Sequence, residues 1–126
     1  MSAIEVVNRN ILTNLLLDKG YNVFLPVMDR GIDLIAHRET DGDVKLIQLK
    51  SRWTINRKYE RRNIWIAFPD DGDWYLAPHD WMVGTAGAGV LSSKSWREGG
   101  AYSRGSLSED QRGAMSPLRI SQDAHD

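Results

Sequence analysis

The 126-residue sequence contains no cysteine, which excludes disulfides and thiolate metal sites and is compatible with a reducing cytoplasm. It has almost no net charge, since 16 Lys and Arg face 17 Asp and Glu for a formal −1. Phosphate neutralisation demands surface cations, so a generally basic nucleic-acid binder is excluded and any such contact must be local. No apolar run approaches membrane-spanning length, and "MSAIEVVNRN" lacks the basic stretch and apolar core of a signal peptide. The expectation is a cytoplasmic protein that does not engage a membrane. "VGTAGAGV" has no Gly-Lys-Ser/Thr ending, which argues against a phosphate-cradling loop, and no Gly-x-Ser-x-Gly elbow is present. His37, His79 and His125 have no metal-ligand spacing and read as surface or satisfied histidines. Internal repeats and coiled-coil heptads are also lacking. What remains, 41% hydrophobic and 26% charged residues over a length suited to one core, predicts a single globular domain over 1–126.

From Ser2 to about Lys19, Ile4, Val7, Ile11 and Leu15 recur at helical spacing, with Leu12 and Leu16 widening the stripe and Gly20 as the stop. "YNVFLPV" reads as a short extended run ending near Pro26. Two strands, about Ile32 to His37 and Val44 to Ser51, flank Asp41-Gly42, the strongest short-range hairpin signal. "NIWIAFP" is a further strand with Ile64, Ile66 and Phe68 on one face; "DDGD" turns the chain and "WYLAP" returns it. The predicted fold class is α/β, a central mixed sheet of four to five strands flanked by helices. Its core lies at about 2–78, and 84–126 hold a Gly-rich flexible loop at "VGTAGAGV", a short edge strand in "SWREGGAYS" and a last helix in "SLSEDQRGAM". Ser106 and Glu109 stand at capping-box spacing for that helix, Pro117 lies near its end, and the last residues are expected to fray.

The first hairpin carries polar residues that need a reason. With Asp41-Gly42 as a two-residue turn, Thr40 pairs with Asp43, Ile35 faces Gln48, and Asp33 faces Lys50. Asp33, Gln48 and Lys50 then share one sheet face, while Ile32, Leu34, Ala36, Ile47 and Leu49 form the other. A carboxylate and an amide carbonyl are hard oxygen ligands of the kind Mg²⁺ or Mn²⁺ takes, and the Leu49 carbonyl can add a third. A lysine beside them can hold a water and offset charge developing on a phosphate oxygen. These are the parts of a phosphodiester hydrolase; spacing alone equally allows a half-exposed face with an Asp–Lys cross-strand pair.

Just beyond, Lys50, Arg52, Arg57, Lys58, Arg61 and Arg62 are opposed only by Glu60, with Trp53, Tyr59 and Trp65 interleaved or adjacent. The run reads either as a solvated loop or as a patch that grips phosphates, with Trp53 placed to stack on a splayed base. Asp70, Asp71 and Asp73 around Gly72 are explained by a turn without invoking Ca²⁺.

"GIDLIA", a short loop and "IQLKSR" resemble the core of the PD-(D/E)xK nuclease superfamily, the restriction-endonuclease-like fold that includes Holliday junction resolvases. The resemblance spans roughly Ser2 to Pro78. It implies a Mg²⁺- or Mn²⁺-dependent endodeoxyribonuclease in which Asp33 is the motif aspartate and a metal ligand, Gln48 stands where Glu or Asp is commonest, and Lys50 is the motif lysine. Ile32 replaces a proline often absent from the superfamily. Gln48 removes one negative charge, and Glu5 on the first helix restores it if that helix points an acid into the site. Ser2-x-x-Glu5 equally has capping-box spacing, which would keep Glu5 out of the chemistry. The implied partner is DNA, duplex or branched, recognised by structure or by very short sequence. A homodimer would set two active centres on two strands. The rival expectation is a nuclease-like module that holds nucleic acid or a protein without cutting.

Overall fold

A computed structural model describes residues 1–120. Helix α1 spans Ala3–Asp18, with Ser2 as its N-cap accepting the Glu5 N–H at 3.2 Å and Gly20 in the left-handed region at φ 88° just beyond its end. Leu12, Leu15 and Leu16 are buried, whereas Ile4, Val7 and Ile11 are exposed by 64%, 49% and 39%. The expected stripe is therefore rotated. The C-terminal half of the buried face packs on the sheet, and its continuation towards the N-terminus carries Glu5, Asn8 and Arg9.

The strands are β1 (Asn22–Phe24), β2 (Leu34–Arg38), β3 (Asp43–Leu49), β4 (Thr54–Asn56), β5 (Ile64–Asp70), β6 (Asp73–Pro78) and β7 (Ala101–Ser103). Five form a mixed sheet in the order β1-β2-β3-β5-β6, in which β3 and β5 run parallel and the other neighbours antiparallel. The crossover from β3 to β5 contains β4, which pairs with β7 in a separate ladder, and a short 3₁₀ turn, Arg57–Tyr59.

Each face of the sheet has its own core. On one side α1 packs its leucines on Leu34, Ala36, Ile47, Ala67 and Leu76. On the other, Ile64, Ile66, Phe68, Tyr75 and Ala77 meet Trp53, Ile55, Tyr59, Met82, Trp96 and Met115. The second face is covered by α2 (His79–Gly84), α3 (Ala88–Leu91), α4 (Lys94–Gly99) and α5 (Glu109–Met115). The Gly-rich segment is thus no flexible loop: Ala86 and Val90 are both 7% exposed and anchor it to the core. Helix α5 is capped by Ser108 with Gln111 in a reciprocal capping box, not by Ser106 with Glu109. Leu107 must reach the core, where it is 5% exposed, so the helix begins after it.

The two Asp-Gly turns differ. Asp70 pairs with Asp73, leaving Asp71-Gly72 as a two-residue turn with φ of 50° and 83°. In the first hairpin Arg38 pairs with Asp43, so the connection is Glu39 to Gly42 and the register is two residues away from the expected one. The longer loop is fastened locally: Arg38 pairs with Asp41 at 2.7 Å, and Asp41 accepts the Asp43 N–H at 3.1 Å. Asp43 in turn accepts hydrogen bonds from Tyr21 and Lys45. Because side chains alternate with period two, this shift exchanges partners while leaving Leu34, Ala36, Ile47 and Leu49 on their expected face. Ile32, which precedes β2, packs instead against the core on the other side, because alternation holds only within the strand.

Candidate active site

The β2–β3 ladder ends at Leu34 opposite Ile47. One step beyond, Asp33 donates its N–H to the Ile47 carbonyl at 2.8 Å and accepts the Leu49 N–H on Oδ2 at 2.8 Å. This clamps Asp33 beside Gln48, not opposite Lys50 as a tight turn would have set it. Asp33, Gln48 and Leu49 line a cavity of about 260 Å³, and α1 contributes Glu5, Asn8 and Arg9 to the same wall. Only the first half of the Ser2–Glu5 capping box is formed, so Glu5 is a wall residue of the cavity. Gln48 Oε1 is buried without a hydrogen-bond partner among the described residues, a costly state for an oxygen that ordinarily accepts.

The electrostatics have the same character. Burial raises the Asp33 pKa above the usual carboxylate value, and the neighbouring Asp29 carboxylate raises it further; the Leu49 N–H and the Lys50 charge pull it down. Asp29 also lines the cavity. Lys50 donates its backbone N–H to Ala67 at 2.8 Å and rests its ammonium 5.4 Å from the Tyr59 ring centre. It stands to one side of the cavity wall, near enough to act on Asp33 through space. Among the described residues no three His, Cys, Asp or Glu side chains are gathered as a metal site. The oxygen set is mixed, carboxylate plus amide plus backbone, which suits a Mg²⁺ ion that takes one or two carboxylates and keeps several waters.

The basic segment is accessible. Arg52, Arg57, Lys58, Arg61 and Arg62 are all exposed. Several are partly committed: Arg57 lies 5.1 Å from the Trp96 ring centre, and Arg62 donates to the Arg30 carbonyl at 2.6 Å. Trp53 corrects the expectation of a stacking platform. It is 2% exposed in the core, with the Arg104 guanidinium 4.0 Å from its ring centre, so no face is left for a base.

His79 has a role that its spacing did not suggest. Buried to 1% exposure, it accepts the Asn56 N–H on Nε2 at 3.0 Å, which leaves the hydrogen on Nδ1 to be donated to Asp80 at 2.9 Å. The second Asp80 oxygen accepts the Arg61 N–H at 3.0 Å. His79 and Asp80 thus tie Asn56 and Arg61, on either side of the 3₁₀ turn in the basic segment, to α2. His37 sits half-buried on β2, and His125 lies outside the described residues. Asp70 accepts from Leu107 and Arg112, and Asp73 pairs with Arg119 at 3.5 Å, so the acidic turn serves packing rather than Ca²⁺.

Sequence reasoning overlooked Asn8, Arg9 and Asp29. A signal for the first two exists: Glu5, Asn8, Arg9 and Leu12 lie on one helical face. Asp29 has only its place in an Asp-x-Gly turn shortly before Asp33.

No family model matches the chain, and neither does any curated protein. The fold is similar to that of the bacterial homing endonuclease I-Ssp6803I, over 95% of this chain and 88% of that one, with a TM-score of 0.55 and 18% identity. That likeness shows a shared fold.

Proposed function

We propose that the protein is a Mg²⁺- or Mn²⁺-dependent endonuclease acting on DNA, of the PD-(D/E)xK type with glutamine in the second acidic position. The observation that carries this reading is that Asp33 and Gln48 line one cavity, with a buried and partnerless oxygen on Gln48 and the Lys50 charge acting on Asp33. The fold likeness to an endonuclease adds support.

Asp33 and Gln48 would hold the ion, with Glu5 and the Leu49 carbonyl as further oxygens. When bound, such an ion supplies Lewis-acid polarisation of a phosphoryl oxygen and a more acidic water. The protein's own groups do the rest. The Leu49 N–H fixes the Asp33 carboxylate and so orients it before substrate arrives. Lys50, steadied by Tyr59, positions the attacking water and offsets charge growing on the phosphate. Arg52, Arg57, Lys58, Arg61 and Arg62 grip backbone phosphates, which makes binding salt-dependent and largely blind to sequence. A homodimer, built on the exposed apolar stripe of Ile4, Val7 and Ile11, would present a second centre to the opposite strand.

The test is incubation with supercoiled, linear and branched DNA, with Mg²⁺, Mn²⁺ or chelator, beside Lys50→Ala. Metal-dependent nicking lost in Lys50→Ala is the expected result. Metal-independent gel retardation of intact DNA would replace the enzyme with a binding module.

A further inference from the structure

We propose that Asp29 is a further metal-ligating residue of this site, supplying from the β1–β2 loop the carboxylate that Gln48 does not. The inference rests on the nuclease reading above and adds to it a residue outside the strand motif. Asp29 lines the cavity together with Asp33, Glu5 and Gln48. Its Oδ1 accepts the Gly31 N–H at 2.9 Å, and its carboxyl group lies within hydrogen-bonding reach of the Asp33 carboxyl. No Lys or Arg forms an ion pair with Asp29 or Asp33 among the described residues, and the two carboxylates are close enough to repel.

Two adjacent carboxylates remain unfavourable together even with the Lys50 charge nearby, since the net effect on Asp33 is a raised pKa, and a buried amide oxygen without a donor is unfavourable too. One divalent cation relieves both. The Gln48 oxygen is the independent sign, because it is neutral and its lack of a partner owes nothing to charge repulsion.

The loop is also built to hold this position. Gly31 has φ 87°, and a Cβ there would meet Arg62 Nη1 at 3.1 Å and Tyr59 Cε1 at 3.3 Å. Arg62 donates to the Arg30 carbonyl at 2.6 Å. Tyr59, against which Lys50 rests, and Arg62 thus brace the loop that carries Asp29, and the carboxylate is held before any ligand arrives.

The experiment measures Mn²⁺ binding to the full chain without DNA, by the paramagnetic resonance of free Mn²⁺, for the unmodified protein, Asp29→Asn and Asp33→Asn. Melting with and without Mg²⁺ is recorded alongside. Asn can still accept the Gly31 N–H, so the loop should persist, and Asp29→Ser, which keeps an accepting oxygen, is the second variant if Asn lowers the melting temperature. The expected result is an affinity weaker by about tenfold or more in Asp29→Asn, a smaller rise in melting temperature with Mg²⁺, and unchanged or higher melting without it. If both Asp29 variants bind Mn²⁺ as the unmodified chain does while Asp33→Asn has lost it, the assignment of Asp29 falls and the nuclease reading stands. If the unmodified chain neither binds Mn²⁺ nor nicks DNA, both fall together.

Discussion

The two ends of the β2–β3 hairpin carry aspartates in opposite electrostatic states. At the turn, Asp41 is paired with Arg38, which pulls its pKa down to about 2, and Asp43 is lowered by Lys45 and Tyr21. At the open end, Asp33 is raised by burial and by Asp29. At the turn both aspartates have found cationic or hydroxyl partners within the chain, Asp41 in Arg38 and Asp43 in Lys45 and Tyr21. The open end keeps two carboxylates together and an amide oxygen without a donor. Unsatisfied groups of this kind cost stability, and sites that bind ligands are where such costs are retained.

The largest expected contrast is catalytic. Asp33→Asn should lower metal-dependent nicking by at least about 10²-fold, whereas Asp43→Asn should leave it essentially unchanged, as judged from initial rates on supercoiled DNA. Equal losses in both would erase the distinction between the two ends.

Glycines sharpen it next. Gly31→Ala and Gly42→Ala both force a side chain into the left-handed region, at φ 87° and 72°. Only at Gly31 does the added Cβ also press on Arg62 and Tyr59, while nothing lies within 4 Å at Gly42. Urea unfolding should show a loss of about 1 kcal/mol for Gly42→Ala and about 2 kcal/mol or more for Gly31→Ala. A loss no larger than that of Gly42→Ala, at most about 1 kcal/mol after discounting a side chain that is 33% exposed, is expected for Asp43→Ala.

The pH dependence of melting has opposite signs at the two ends and is the smallest effect. Asp41 has a depressed folded pKa, so its contribution is complete above the unfolded value of 3.8 and is lost as pH falls through about 2. Asp33 has a raised folded pKa, so protonation favours the fold: that contribution is complete below 3.8 and is lost as pH rises through the raised value. In chelator, Asp33→Asn should flatten the less acidic side of the melting curve, and Asp41→Asn the more acidic side. The reverse pattern would show the two ends to have been assigned the wrong way round.

Much of this was legible in the chain because it depends on period. Leu34, Ala36 and Ile47 lie in one core and Ile64, Ile66 and Phe68 in the other, as alternation requires. Helical period located α1 but not its buried face, because Ile4, Val7 and Ile11 form an apolar stripe as convincing as the one that packs. Asp-Gly marked both turns correctly and could not distinguish two residues from four, since Arg38, Tyr21 and Lys45 compete for the aspartates of the first. Trp53 looked like a surface aromatic in a basic run and is core, because the crossover folds beneath α2–α5.

Local order decided the elements of this protein: spacing of apolar residues, Asp-Gly turns, and the placing of Asp33 and Gln48 on one side of one hairpin are all set within a few residues of chain. Tertiary structure decided the site, because its walls come from α1, the β1–β2 loop and β3 and are braced by residues of the β3–β5 crossover. Short-range periodicity carries no information about which distant carboxylate will stand beside Asp33. That is settled only when the sheet closes and brings Glu5 and Asp29 to the same cavity.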